Sequence, residues 1–132
     1  MRRYTLCLLT LSIGLVSAAE PMLAHHAFTA VYDSNKPVRF TGTITKVDWR
    51  NPHTYCYIDV KDSNGKVTNY IVEVGNPTTL DRQGWNQDTL KPGDTVTIAG
   101  FKAKDGSNAV NGRSVTLPNG KKVLSTADEG EK

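Results

Sequence analysis

Apolar and polar residues alternate through most of the middle of the chain, which is the pattern of half-buried β-strands. In the first such segment the apolar residues from Val38 to Ile44 keep one parity, whereas Val47 and Trp49 follow the other. A bulge or sharp coil within Gly42–Lys46 would bring both sets to the same side of the strand. The pattern therefore predicts one long, bent first strand.

Turn residues divide the rest of the pattern into further strands. Asp62-Ser63-Asn64-Gly65 predicts a tight hairpin, because Asn-Gly readily adopts the positive φ angles of such turns. The strands on either side of this turn should therefore pair antiparallel. The strands predicted after the first are Thr54–Lys61, Lys66–Val74, Thr95–Ala103, about Ala109–Leu117, and a short last one at Lys122–Leu124.

A short helix is predicted between the third and fourth strands, over residues 76–84. Asn76 suits the N-cap, Pro77 suits the first helical position, and Gly84 suits the C-terminal end. The order of three strands, a helix and two strands predicts an all-β fold with small α content. We expect a five-stranded OB-like Greek-key barrel with one short helix between strands 3 and 4. An open β-sandwich is the alternative.

The first residues have the pattern of a secretory signal peptide. Arg2-Arg3 is followed by the apolar stretch Leu6–Val16 and then by small residues through Ala24. The apolar stretch is too short for a stable membrane anchor. Cleavage after Ala24 is favoured over cleavage after Ala18. The expected organisation is a signal peptide (1–24), an N-terminal arm (25–36), the barrel (37–124) and a flexible tail (125–132), in a periplasmic or secreted protein.

Composition and charge exclude several classes of protein function. The 132 residues include two cysteines and carry a net charge of +3. Cleavage after Ala24 would remove Cys7 and leave Cys56 as the single thiol, so an intrachain disulfide is excluded in the processed protein. The mild charge and the export signal speak against nucleic acid as a partner. The sequence has no Ser-His-Asp order, carboxylate pair, phosphate loop or CxxC motif, so an enzyme is not indicated.

The positions of the three histidines suggest a copper site. If cleavage follows Ala24, His25 supplies an α-amine and an imidazole that can chelate one metal ion. A nitrogen of His53 would complete a T-shaped histidine brace, which suits copper because nitrogen donors favour Cu(II) over magnesium or calcium. His26 could replace one ligand or lie beside the metal. The structural alternative is a polar arm at His25-His26 and an ordinary turn histidine at His53.

The segment between the first two strands predicts a weak ligand rim. Trp49, Asn51, Tyr55 and Tyr57 would lie where OB-folds border their ligand face, and Glu73 of the third strand belongs to the same predicted rim. The structural interpretation is that Trp49 fills the barrel end and Asn51 stabilises the turn. Tyr55 and Tyr57 could stack ligands together with Tyr70, although cross-strand aromatic packing is favoured.

Two further residues stand out from their strands. Glu73 lies in the apolar segment Ile71–Val74, where it could pair with Arg82 or with the second nitrogen of a ligating histidine. Exposure to solvent is the favoured expectation for Glu73. Cys56 is expected to face inward as a small apolar group, and soft-metal ligation is its weaker alternative.

Several segments resemble a family of small exported bacterial proteins known as a domain of unknown function. The matching segments are Ala24-His25-His26-Ala27-Phe28, Tyr32-Asp33, Val47–His53, Gly84-Trp85, Leu90–Asp94 and Ala103–Ser107. The resemblance implies export, a signal peptide that ends before the paired histidines, and a small β-barrel, but no established activity. The chain departs from the family at Ala27, where serine is frequent, and at Cys56, where an aliphatic or aromatic residue is expected.

Together these features predict an exported binding module. The leading hypothesis is copper binding through His25 and His53, with His26 and Glu73 in support, and copper is the only cofactor considered. The alternative is a metal-free interaction module that binds an envelope protein, a glycan or a small ligand at an aromatic barrel rim.

Overall fold

The computed structural model describes residues 27–125. The chain divides between Ala30 and Val31, and the strands and the short helix α1 (Pro77–Arg82) all belong to the unit that begins at Val31. Residues 27–31 are helical. The strands are β1 (Tyr32–Asp48), β2 (Thr54–Lys61), β3 (Val67–Gly75), β4 (Thr95–Ala103), β5 (Ala109–Thr116) and β6 (Lys122–Ser125). The predicted signal peptide, His25, His26 and the tail after Ser125 lie outside the described residues.

Five of these strands close into a ring in the order β1-β2-β3-β5-β4. The β3–β5 pairing is parallel and the other pairings in the ring are antiparallel. Strand β6 pairs with the last residues of β5, beyond the part of β5 that pairs with β3, and α1 connects β3 to β4. The all-β, barrel-like class with a helix between the third and fourth strands is therefore confirmed.

Strand β1 is longer and more bent than the other strands. It begins at Tyr32 instead of Pro37, because a polar segment before Pro37 continues beside β4 through an irregular register. A second register shift against β2 lies between Ile44 and Lys46, inside the segment where the sequence predicts a bulge. Near this bend a Cβ atom at Gly42 would lie 2.5 Å from the carbonyl oxygen of Asp59, so the close strand approach requires glycine.

The turns and the helix form as their residues predict. The carboxylate of Asp62 accepts hydrogen bonds from the backbone N–H groups of Asn64 and Lys66, which stabilises the β2–β3 hairpin. The side chain of Asn76 accepts a hydrogen bond of 2.8 Å from the backbone N–H of Thr79 and so caps α1.

The core fills the inside of the ring. Every strand of the ring contributes to it, and α1 adds Leu80 at the end where β3 leaves the barrel. Trp85 follows the helix, is buried, and donates an indole hydrogen bond to the carbonyl oxygen of Val123 in β6. The buried apolar cluster is Ile44, Cys56, Ile58, Val72, Val74, Leu80, Trp85, Leu90, Val96, Ile98, Val110 and Val115. In residues 27–125 no helix combines the length and the apolar character that a membrane crossing needs.

Candidate functional site

A polar cluster lies on the outer face of the barrel, at the seam where β3 meets both of its neighbours. Glu73 of β3 is the register partner of Tyr55 in β2 and of Asn111 in β5. His53 lies just before β2, at the end of the connection from β1. The alternation of side chains along β3 places Val72 and Val74 in the core, so Glu73 between them is turned to the outside.

Tyr32, Glu73 and His53 form a continuous chain of polar contacts. The hydroxyl of Tyr32 donates a hydrogen bond of 2.7 Å to Oε2 of Glu73. The other carboxylate oxygen, Oε1, lies 3.5 Å from Nδ1 of His53. The side chain of Glu73 is 17% exposed and that of His53 is 44% exposed. The carboxylate is thus held from one side by a phenol, while the imidazole on its other side reaches solvent.

The electrostatics of this cluster keep its phenols protonated. Burial raises the pKa of Tyr32 above its ordinary value, and the hydrogen bond to Glu73 and the charge of Glu73 raise it further. Burial, followed by the charge of Glu73, also raises the pKa of Tyr55. Because the Tyr32 phenol retains its proton at neutral pH, it serves as a donor to the carboxylate.

An aromatic ring lies next to His53, and a cationic group lies over that ring. The rings of His53 and Tyr55 meet edge to face with their centroids 6.5 Å apart. The guanidinium carbon of Arg50 lies 5.3 Å from the centre of the Tyr55 ring, within cation–π range. Arg50 also pairs with Asp48 at 3.3 Å. Tyr55 of β2 therefore lies against the imidazole, and Arg50 links Tyr55 to Asp48 at the end of β1.

A shallow depression of about 200 Å³ opens between His53, Glu73 and the start of β5. It is lined by His53, Glu73, Val74, Gly75, Asn76, Thr79, Asn111, Gly112 and Arg113. The lining is chemically mixed, because the imidazole of His53 and the carboxylate of Glu73 meet apolar parts of the surrounding residues at one opening. Such a lining suits a small polar ligand or an ion better than a large apolar molecule.

The structure brings some of the predicted rim residues to this cluster and leaves others apart. Tyr55 lies in it, next to His53 and Glu73. Trp49 instead packs partly buried against the hydrophobic core, as the structural interpretation expects. Asn51 is exposed in the turn and forms a cis peptide bond with Pro52. Tyr57 lies farther along β2, with the ammonium group of Lys46 at 5.1 Å from its ring centre.

The three tyrosines do not form one stacking platform. Tyr70 has the inward parity of β3 and stacks on Phe40 with ring centroids 4.5 Å apart. Tyr55 and Tyr57 have the outward parity of β2. The stack of Tyr70 on Phe40 joins β3 to β1, which are not neighbours in the ring, so the favoured expectation of aromatic packing between neighbouring strands stays a prediction.

The placement of Glu73 differs from the favoured expectation of a solvent-facing carboxylate. Its parity is outward as expected, but Tyr32 and His53 cover it. Its observed partners are these two residues instead of Arg82. The reason is tertiary: the extended start of β1 and the connection before β2 both pass over this part of β3, and strand parity alone does not reveal such covering segments.

Sequence reasoning missed two residues of the cluster, Tyr32 and Arg113. Tyr32 belongs to a segment that the sequence assigns to the arm, although Tyr32-Asp33 is one of the segments shared with the similar family. Arg113 lies in β5, where its guanidinium carbon is 5.8 Å from the Phe101 ring centre and the side chain lines the depression. The sequence does contain a signal for Arg113, because an arginine between small residues is unusual in a barrel strand.

Metal-ligating residues are few in the described part of the chain. Residues 27–125 contain no group of three or more His, Cys, Asp or Glu side chains arranged to hold a metal ion. His53 and Glu73 are adjacent, but His25 and His26 lie outside the described residues, so the brace stays a prediction. Cys56 is fully enclosed, and burial raises the pKa of its thiol to about 12. It is therefore a protonated apolar group and not a soft-metal thiolate at neutral pH.

Comparison with known proteins adds the family but no activity. A search of curated proteins gives no match to this sequence. The model of a family described as "Family of unknown function (DUF6152)" matches residues 12–112, which is most of the chain. The chain therefore belongs to the family of unknown function DUF6152.

Proposed function

We propose that the protein is an exported binding module that binds copper through His53 and the histidine at its processed N-terminus, His25. The observation that carries this proposal is the carboxylate of Glu73, 3.5 Å from Nδ1 of His53. Histidines that bind metals usually have a carboxylate or carbonyl oxygen at their second nitrogen, which orients the ring and makes the ligating nitrogen more basic. The nearby carboxylate of Glu73 can serve His53 in this way, and His53 is also accessible to solvent.

The remaining ligands come from the N-terminus. Cleavage after Ala24 would give His25 a free α-amine in addition to its imidazole, and both groups can bind the same ion. Together with His53 they form an all-nitrogen set, which favours copper over hard cations. His25 precedes Tyr32 by seven residues in the sequence, and the Tyr32 hydroxyl bonds the same carboxylate that faces His53. This short chain separation supports a site that combines His25 with His53.

The proposal is tested by copper affinity in correctly processed protein. The full chain is expressed with its own N-terminal segment, recovered after export, and its N-terminus is determined by mass spectrometry. Copper affinity is then measured by competition with a chelator. We expect a chain that begins at His25, and we expect His53→Ala to weaken copper binding by roughly 100-fold or more, since the loss of an orienting partner alone costs about 10- to 100-fold.

Two further variants make this test specific. An additional residue before His25 removes the amine from the chelate and should also weaken binding strongly. Tyr57→Phe, on the same outer face but away from His53, should leave the affinity unchanged. The copper proposal is wrong if both His53→Ala and the N-terminal extension bind copper as tightly as the wild type.

A second candidate function is a metal-free interaction module. It is favoured by the exposed row in which Arg50 lies over Tyr55 and Lys46 lies over Tyr57. Such cation–aromatic pairs occur at surfaces that bind polar partners such as glycans or proteins. On this account, the double variant Tyr55→Ala and Tyr57→Ala would abolish partner binding, whereas His53→Ala would have no effect on it.

A further inference from the structure

We propose that Tyr32 is a positioning residue that fixes His53 with Nε2 as its metal-binding atom. This inference rests on the copper site proposed above and assigns a role to a residue outside the ligand set. Tyr32 acts on His53 through Glu73. The contact chain runs from the Tyr32 hydroxyl to Oε2 of Glu73, and from Oε1 of Glu73 to Nδ1 of His53.

The two oxygens of Glu73 have separate partners, and this separation gives Tyr32 its role. A carboxylate with one free oxygen can rotate about its terminal torsion, which is broad for glutamate. The hydrogen bond of 2.7 Å from Tyr32 to Oε2 opposes this rotation. Oε1 is therefore kept opposite Nδ1 of His53.

A fixed acceptor at Nδ1 selects one tautomer of the imidazole. In a neutral imidazole one nitrogen carries the proton and the other has a free lone pair. A carboxylate oxygen opposite Nδ1 favours the proton on Nδ1, which leaves the lone pair on Nε2 for a metal ion. Tyr32 thus determines which nitrogen of His53 is ready to bind.

The position of Tyr32 in the fold makes it a rigid support. The residue is 8% exposed, and it is the register partner of Ala103 in β4. The carbonyl oxygen of the preceding residue, Val31, accepts a hydrogen bond of 2.9 Å from the N–H of Lys104. A buried phenol on a strand that is paired at this point has little freedom to leave Glu73.

The first test measures the tautomer of His53 without any metal. Nitrogen-15 NMR of the exported, metal-free protein distinguishes a protonated from a lone-pair nitrogen, and the His53→Ala spectrum identifies the resonances of His53. In the wild type we expect the proton on Nδ1. Tyr32→Phe keeps the ring but removes the hydroxyl, and we expect it to give a mixture of both tautomers. Tyr70 is a half-buried tyrosine on the inner side of β3, and Tyr70→Phe should leave the wild-type tautomer unchanged.

The second test measures copper affinity in the same variants. Tyr32→Phe should weaken copper binding roughly tenfold, the lower end of the effect of losing a partner around a metal ligand. If Tyr32→Phe does not fold, Glu73→Ala removes the carboxylate itself and should give the same mixture of tautomers. The role of Tyr32 is overturned if Tyr32→Phe has the wild-type tautomer. If Glu73→Ala is used instead, the wild-type tautomer in that variant overturns it.

The outcomes separate this inference from the copper proposal. If His53→Ala loses copper affinity but Tyr32→Phe has the wild-type tautomer and affinity, only the positioning role fails. If Tyr32→Phe shifts the tautomer while His53→Ala leaves copper binding unchanged, the contact chain positions the imidazole but the copper proposal fails.

Discussion

The two faces of the β2–β3 hairpin consist of neighbouring residues with opposite chemistry. Cys56 and Val72 are register partners on the inner face and are fully enclosed by apolar side chains. Tyr55 and Glu73, one position along from them, are register partners on the outer face and lie in a polar cluster with His53. The comparison teaches that the same strand pair supplies both apolar residues for the core of the barrel and polar residues for its candidate site, and that side-chain parity separates the two sets.

The largest expected effect comes from the inner face. Ile58 is completely buried, so Ile58→Ala should lower the free energy of unfolding by about 2–5 kcal/mol through lost burial and a residual cavity. Ile71 offers a matched control, because it is an isoleucine of the same hairpin that faces outward and is 40% exposed. Ile71→Ala should change stability by no more than about 0.5 kcal/mol. Urea unfolding measures both, and equal losses in the two variants would refute the division by parity.

The next effect is the pH dependence of stability that Cys56 introduces. Burial raises the pKa of this thiol from 9.0 to about 12, so the fold favours the protonated form. Its stabilising contribution is complete below the unfolded pKa and is lost as the pH rises from about 9 towards 12. One proton of difference corresponds to a slope of about 1.4 kcal/mol per pH unit. Urea unfolding of wild type and Cys56→Ala over this pH range should show the steeper decline in the wild type, and parallel declines would contradict the buried-thiol account.

The smallest expected effect on stability concerns Thr54, at the boundary between the two faces of the hairpin. Thr54 is completely buried next to His53, and its hydroxyl has no hydrogen-bond partner among the residues that the structure describes. Burying an unsatisfied hydroxyl is costly, so Thr54→Val should raise the free energy of unfolding by about 1 kcal/mol. Thermal and urea unfolding provide the measurement. A loss of stability in Thr54→Val would mean that this inner position depends on a polar contact.

Local patterns predicted most of the fold because they act over a few residues. The bounds of β2 and β4 agree with the predicted strands, since alternation and flanking turns define both ends. The hairpin at Asn64-Gly65 and the cap at Asn76 depend on side chains that bond their own backbone within four residues. The start of β1 differs from the predicted start at Pro37 because Tyr32 pairs with Ala103 of β4, while the polar residues between Tyr32 and Pro37 lie in a register shift and show no apolar alternation.

The candidate site was only partly predictable, because its contacts join distant parts of the chain. His53 and Glu73 were recognised as chemically unusual, but Tyr32 and Glu73 are 41 positions apart in the sequence. The contact between them depends on how β1 crosses the barrel, and no local pattern contains that information. Arg113 lies in β5 and lines the same depression. It is near Glu73 because the pairing of β3 with β5 closes the ring.

The most direct test of the central claim is a pulsed electron paramagnetic resonance measurement of copper-loaded, correctly processed protein. The remote nitrogen of each coordinated imidazole modulates the electron spin echo of Cu(II), so the modulation reports which histidines bind. The account predicts modulation from the imidazoles of both His25 and His53 in the wild type, and from His25 without His53 in His53→Ala. Identical modulation in the two proteins would contradict it.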